Sequence, residues 1–279
     1  MTTLASAQRP VGEQLRDWRR RRLLSQEDLA GLAGISSRHL SFLENGRSEP
    51  SRAMLLRLSD RLDVPLRDRN HMFTAAGYAP VYGERSLDDS TLAAARQTIE
   101  LLLRGHEPYP ALAVDRHWQM HAANRALAPF LRGVAPHLLE PPINVLRLSL
   151  HPEGVAPRIV NLGQWRAHLI HRLRRQIETT GDSVLEDLLQ ELMSYPAPDY
   201  DDESPDPTAI AVPMRLRTEV GELAFLSTIT VFGTPVEVTL SELAIESFFP
   251  ADEKTAKVMR AMSLVGRVLF RMPRLKHKD

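Results

Sequence analysis

Cysteine is absent from the 279 residues. Its absence excludes disulfides, thiol nucleophiles and cysteine-ligated zinc, and suits a reducing compartment. No apolar run approaches the roughly 20 residues that a membrane-spanning helix needs. The first residues, MTTLASAQRP, lack the apolar core of a secretory leader, so a cytoplasmic chain with no membrane association is expected. No repeat of fixed period occurs. Net charge is missing too, because 35 basic residues balance 35 acidic ones. The balance is uneven along the chain: residues 1–80 hold thirteen arginines, no lysine and nine acids, a surplus of +4, which leaves −4 for residues 81–279. Sequence patterns for catalysis are also lacking, with no glycine-rich phosphate loop, no G-x-S-x-G elbow and no H-E-x-x-H. His117 and His121 fall across an expected strand, roughly 13 Å apart. His168 and His171 have no acidic partner at metal-ligand spacing, and His151-Pro-Glu153-Gly reads as a turn. Neither a metal site nor an enzyme is expected.

What is present is ordinary material for folded cores, 43% hydrophobic and 25% charged, at a length that suggests two domains. The informative stretch is SQEDLAGLAGISSRHLSFLENGR, residues 25–47. Ser25 is suited to cap a helix, with Asp28 completing a capping box. Leu29, Leu32 and Ala33 follow on one helical face. Gly34 then permits the left-handed turn that ends a helix. Ser36 caps a second helix that turns Leu40 and Leu43 inward, and Asn45-Gly46 closes it. Two short helices across a glycine turn make a helix-turn-helix, whose second helix enters the major groove of DNA. A first helix is expected over 11–23 with Leu15 and Trp18 inside, a fourth over 51–62 with Met54, Leu55 and Leu58 inside, and a fifth over 65–76 before Gly77. The run Arg19-Arg20-Arg21-Arg22 suits either phosphate contact or a solvated helix terminus that complements the dipole.

Leu43-Glu-Asn-Gly46, with Ser25-Gln26 before it and Pro50-Ser51 after it, resembles the Cro/C1-type (XRE) helix-turn-helix family over roughly residues 11–64. That resemblance implies double-stranded DNA as partner, a palindromic operator and a homodimer, since two half-sites lie about one helical turn (~34 Å) apart. By position, Ser37, Arg38 and Phe42, with Ser41 near them, correspond to base-facing positions. Arg38 is suited to a guanine edge and Phe42 to a thymine methyl, although Phe42 also suits a core or dimer contact. Gln26 corresponds to a phosphate anchor, and Asn45 and Arg47 to further phosphate positions, with Ser36 at the helix start.

Beyond residue 80 the periodicity changes. Residues 81–107 read as a linker and connecting helix, with Leu92, Ala95, Ile99, Leu102 and Leu103 at helical spacing. Residues 108–279 read as an α+β domain. Its strands are expected at 111–114, 118–120, 215–220, 223–232 and 243–249, and its helices at 124–131, 144–150, 162–178, 182–193 and from Asp252. A proline- and acid-rich loop is expected over 196–208. The motifs Pro110-Ala-Leu-Ala-Val-Asp115 with Trp118 and Asn124, Asn144-Val-Leu-Arg147, Leu223-Ala-Phe225 with Phe232-Gly-Thr-Pro235, and Phe248-Phe-Pro-Ala-Asp252 resemble the ligand-binding domain of MmyB-like regulators. The resemblance implies a PAS-like fold with an antiparallel sheet and a small lipophilic ligand, a long-chain fatty acid foremost, with no other cofactor. Strand alternation offers Val114, Trp118, Met120, Phe225, Ile229, Val231, Leu243, Ile245 and Phe249 as candidate lining residues, or simply as core. A carboxylate head group would seek Arg147, Arg125, His121 or His168. The alternative is a domain with a filled core, serving dimerisation or protein interaction.

Overall fold

The computed structural model describes residues 9–198 and 212–269, with side chains to 263. The loop expected over 196–208 therefore lies, from 199 onward, outside the described residues. Two compact units emerge. The first comprises residues up to Asp89 with Arg175–Gly181 and Phe232–Glu242, and the second comprises the rest.

The first unit opens with five helices, α1 Val11–Arg21, α2 Gln26–Ala33, α3 Ser37–Glu44, α4 Arg52–Arg61 and α5 Leu66–Ala75. Their boundaries follow local chemistry. Ser25 and Asp28 form the reciprocal capping box, Ser36 Oγ accepts from the His39 amide, and Ser51 Oγ from Met54. Gly34, Gly46 and Gly77 all sit at positive φ. Leu15, Trp18, Leu29, Leu40, Leu58 and Phe73 are among the side chains that close the core. Two expectations change. Helix α1 stops at Arg21, because Leu23 takes a φ of 55° and stands 92% exposed. Leu32 is 49% exposed, since the core-facing arc of this eight-residue helix is narrow and is filled by Leu29, Ala30 and Ala33.

Two further pieces complete this unit. Asn70 of α5 pins the stretch after the helix, its Oδ1 accepting from the Val81 and Tyr82 amides and its Nδ2 donating to the Tyr82 carbonyl. The strap Phe232–Glu242 contains one helical turn, Val238–Ser241. Glu242 takes a two-pronged hydrogen bond from Arg67 of α5, 2.8 Å on each arm. Glu237 accepts from the Arg85 and Leu240 amides.

The second unit is built on one antiparallel sheet. In chain order it contains a 3-10 turn at Ser90–Leu92, helix α6 Ala93–Gly105, strands β1 Ala111–Val114 and β2 Met120–Ala123, helices α7 Val145–Leu150, α8 Leu162–Thr180 (whose residues from Arg175 onward are counted with the first unit) and α9 Ser183–Ser194, strands β3 Met214–Thr218, β4 Gly221–Val231 and β5 Ala244–Pro250, and helix α10 Glu253–Leu269. Two more short 3-10 stretches, Arg125–Leu131 and Pro136–Leu139, lie between β2 and α7. The strand order is β2-β1-β5-β4-β3, so the last strand enters the middle of the sheet. The second strand starts later than expected: Trp118 has a φ of 65° and belongs to the turn, which Asp115 Oδ1 holds by accepting from the His117 and Gln119 amides. The expected helix at 124–131 is 3-10, as suits a segment containing Pro129. Asn124 is buried because its amide is shared among the Ala111 amide and the Leu103 and Tyr109 carbonyls.

Gly12 is required by packing rather than by φ. A Cβ there would lie 2.3 Å from the Leu43 carbonyl oxygen, a backbone atom that cannot rotate away. Gly12→Ala should therefore cost the first unit about 1–3 kcal/mol or more, the scale of overpacking, measured as a lowered thermal midpoint of its unfolding.

Candidate nucleic-acid interface and ligand cavity

Helix α3 has two unlike faces. Leu40, Leu43 and Glu44 are buried, whereas Ser36, Ser37, Arg38, His39, Asn45 and Arg47 are exposed and Ser41 and Phe42 half-buried. The outward set thus includes every position expected to meet DNA on this helix. Phe42 does not belong to the hydrophobic core. Its ring lies 5.4 Å beneath the Arg38 guanidinium, a cation–π contact that holds the arginine along the outer face. Asn45 is fixed by donating to the Ser41 carbonyl (2.8 Å) and accepting from Arg16 Nη2 (2.5 Å).

The inner face rests on a buried charge. Glu44 has a fully buried side chain, and its two oxygens receive Arg19 Nε at 2.6 Å and Nη2 at 2.8 Å. Gln26 Nε2 donates to the same carboxylate at 2.8 Å, while the third arm of Arg19 reaches the Leu24 carbonyl. One carboxylate thereby sets the relative placement of α1, α2 and α3. Burial pushes the Glu44 carboxyl up, but the Arg19 and Gln26 hydrogen bonds and the charges of Arg19 and Arg16 outweigh it and hold it below the usual value. The arginine run divides accordingly. Arg19 turns into the core, Arg22 bonds the Leu62 and Asp63 carbonyls, and Arg20 and Arg21 face solvent. Neither the phosphate nor the solvated-terminus reading describes all four, because side chains successive on a helix point about 100° apart. Gln26 is half-buried at the first position of α2.

In the second unit one face of the sheet, with α7 and α8, lines an apolar cavity of about 80 Å³ that is partly open to solvent. Leu112, Leu216, Phe225 and Phe248 line it from the strands, Leu146 and Leu148 from α7, Trp165 and Leu169 from α8, and Phe130 and Leu131 from the 3-10 segment. Its polar atoms are few. Ser149 Oγ accepts from Trp165 Nε1 at 3.0 Å, and Glu246 pairs with Arg172 at 3.1 Å. Burial leaves Arg172 Nη2 without a hydrogen-bond partner.

Of the expected lining residues only Phe225 is there. Register explains Ile245 and Phe249. Phe225 pairs opposite Pro250, and Ser227 opposite Phe248, so the cavity face of β5 carries Glu246 and Phe248, while Ile245 and Phe249 point to the other side. Ile245 there borders a cleft with Leu101, Leu102 and His106, and Phe249 meets the edge of the His106 ring at 4.7 Å. Ile229 and Val231 share the cavity parity but extend beyond its cover, 44% and 62% exposed. Val114 and Leu243 are buried away from the cavity, Met120 lies on β2, and Trp118 lies 4.2 Å beneath the Arg172 guanidinium.

None of the four head-group candidates lines it either. Arg147 is held by Glu191 through Nε and Nη2 at 2.7 Å each, His121 pairs with Asp115, Arg125 is exposed, and His168 stacks on Trp165, its pKa lowered by burial and by Arg172 and His171. The apolar i, i+4 pair Trp165 and Leu169 was the signal available for α8, masked by the arginines around it.

An exposed helix face braced by a buried ion pair in one unit, and an α+β unit with an apolar cavity in the same chain, define a helix-turn-helix regulator with a ligand-binding domain. Residues 15–68 match the Helix-turn-helix family model, and residues 95–262 match that described as MmyB-like transcription regulator ligand binding domain. The second match takes in well over half of the chain, which therefore belongs to the MmyB-like transcription regulators. A similar protein is the uncharacterized HTH-type transcriptional regulator RghRB of Bacillus subtilis (strain 168), 40% identical over 76 residues, 27% of this chain and 52% of that protein. The match thus spans about half of the relative's length. Among the described residues no helix is long and apolar enough to cross a membrane.

Because folding depresses the Glu44 pKa, its contribution to stability is complete above the unfolded glutamate value of about 4.3. It is lost as the pH falls through the lower folded value. Glu44→Gln should lower the stability of the first unit by about 3–5 kcal/mol at pH 7 by leaving Arg19 buried and unpaired, and should flatten the acid limb of its stability. Thermal unfolding between pH 3 and pH 7 measures both.

Proposed function

We propose that this regulator reads a palindromic operator as a homodimer in the cytoplasm, and that a lipophilic molecule in the second unit biases that reading. The observation that carries the first half is the outward face of α3, where Arg38 and Phe42 are presented together while Glu44 anchors the opposite face. Arg38 donates to a guanine edge, Phe42 packs on a thymine methyl, and Gln26, Asn45 and Arg47 hold phosphates. The ligand half rests on the cavity, whose walls are almost wholly apolar. A long-chain fatty acid is the foremost candidate.

Volume sets a condition on that ligand. A cavity of about 150 Å³ suits a molecule of benzene's size, so an acyl chain needs more room than this 80 Å³ space and enters as the lining gives way. The ligand-bound and unexpanded arrangements then compete, which is the differential affinity for two states that regulation needs. The strap 232–242 packs within the first unit and is continuous in the chain with β4 and β5, so a shift of those strands has a covalent route to it. The same small volume favours a second reading, in which the second unit serves dimerisation or protein interaction with its core filled.

Two measurements decide. Arg38→Ala should cost about 1–3 kcal/mol of specific DNA binding and relax preference at one base pair; an unchanged binding-site profile would remove Arg38 from the base-reading set. Native mass spectrometry of purified protein should show a co-purifying lipid mass, whereas a clean unliganded mass supports the interaction module.

A further inference from the structure

The 3-10 stretch Pro136–Leu139 and the loop that follows α7 bring two imidazoles and a carboxylate together. His137, His151 and Glu153 each present a ligand atom, and all three atoms lie within 4.8 Å of one another. The His137 and His151 rings meet edge to face with centroids 5.6 Å apart. We propose that these residues, none of which lines the apolar cavity, form a site for a borderline transition-metal dication such as Zn²⁺.

The backbone beneath the cluster is set firmly. Glu153 O accepts from the Ala135 amide at 2.9 Å, which lays the two segments side by side. Val155 N donates to Leu148 O at 2.9 Å and Gly154 N to His151 O at 2.8 Å. The loop is so close to α7 that a Cβ on Gly154 would lie 2.3 Å from the Leu148 carbonyl oxygen. His151 is half-buried and flanked by the Tyr195 ring at 5.0 Å, so its orientation is restricted. Its Nδ1 accepts a hydrogen bond from the Glu153 amide at 3.1 Å. His137 and Glu153 are exposed.

Metal bonds of about 2.0–2.2 Å place tetrahedral donors roughly 3.4 Å apart, a contraction that rotation of the two exposed side chains supplies. Two imidazoles and one carboxylate match the nitrogen–oxygen preference of Zn²⁺, Ni²⁺ and Cu²⁺ over Mg²⁺ or Ca²⁺, and water completes the coordination. The ion displaces the amide hydrogen bond at Nδ1, leaving the Glu153 N–H to solvent at the surface. Once bound, it staples the stretch following Leu131 to the loop preceding Val155, and both of those residues line the cavity.

The test uses tag-free full-length protein and ZnCl₂ in isothermal titration calorimetry, with Co²⁺ absorption as a geometric readout. One equivalent should bind with micromolar affinity, and the Co²⁺ complex should show the intense visible bands of a four-coordinate ion. His137→Ala and Glu153→Gln, both at exposed positions, should each weaken binding by about tenfold or more, while His121→Ala, a residue paired with Asp115 instead, should leave it unchanged. Absence of a stoichiometric site, or full affinity retained in His137→Ala and Glu153→Gln, would overturn the proposal.

Discussion

The buried pairing of Arg19 with Glu44 is the interaction on which the DNA-reading half of this protein depends. A carboxylate removed from water is tolerated only when charge and hydrogen bonds replace the lost solvation. Here a forked guanidinium and a glutamine amide do so from two other helices. The geometry of these donors leaves little freedom in how α1, α2 and α3 meet. Leucines alone would pack α3 against its neighbours but tolerate rotation about its axis. A planar, two-pronged bond is directional, and it determines which side chains of α3 remain outside.

In the second unit the corresponding constraint is the central position of β5. It pairs with β1 on one side and β4 on the other, and both of its faces are covered. One face carries Phe248 and Glu246 toward the cavity, and the other carries Ile245 and Ser247 toward α6. The sheet therefore separates a hollow side from a shallower cleft. The buried Arg172–Glu246 pair lies at the polar margin of the hollow side, with Trp118 beneath the guanidinium. With Ser149 it supplies the polar atoms at the edge of an otherwise apolar space.

Much of the fold was legible because its punctuation is local. Ser25, Ser36, Ser51, Asn144, Asp182 and Asp252 each cap a helix through amides no more than four residues away, and Gly34 and Gly46 end helices by a backbone property of their own. The outward face of α3 was legible for the same reason, since Leu40 and Leu43 define an inside and therefore an outside. The cavity was not. In β5 the run Ile245-Glu-Ser-Phe-Phe249 puts apolar residues on both parities, and period-two reasoning cannot choose between faces when both are covered.

By itself, then, the sequence determined the five helices of the first unit, the presence of strands and helices in the second, and which side chains of α3 face outward, because each of these follows from side chains within a few positions of one another. The tertiary structure alone decided that Arg19 leaves its basic run for the core, that Phe248 rather than Phe249 faces the cavity, and that His137 meets His151. Each of those outcomes depends on what a distant segment places opposite, and no local spacing encodes that.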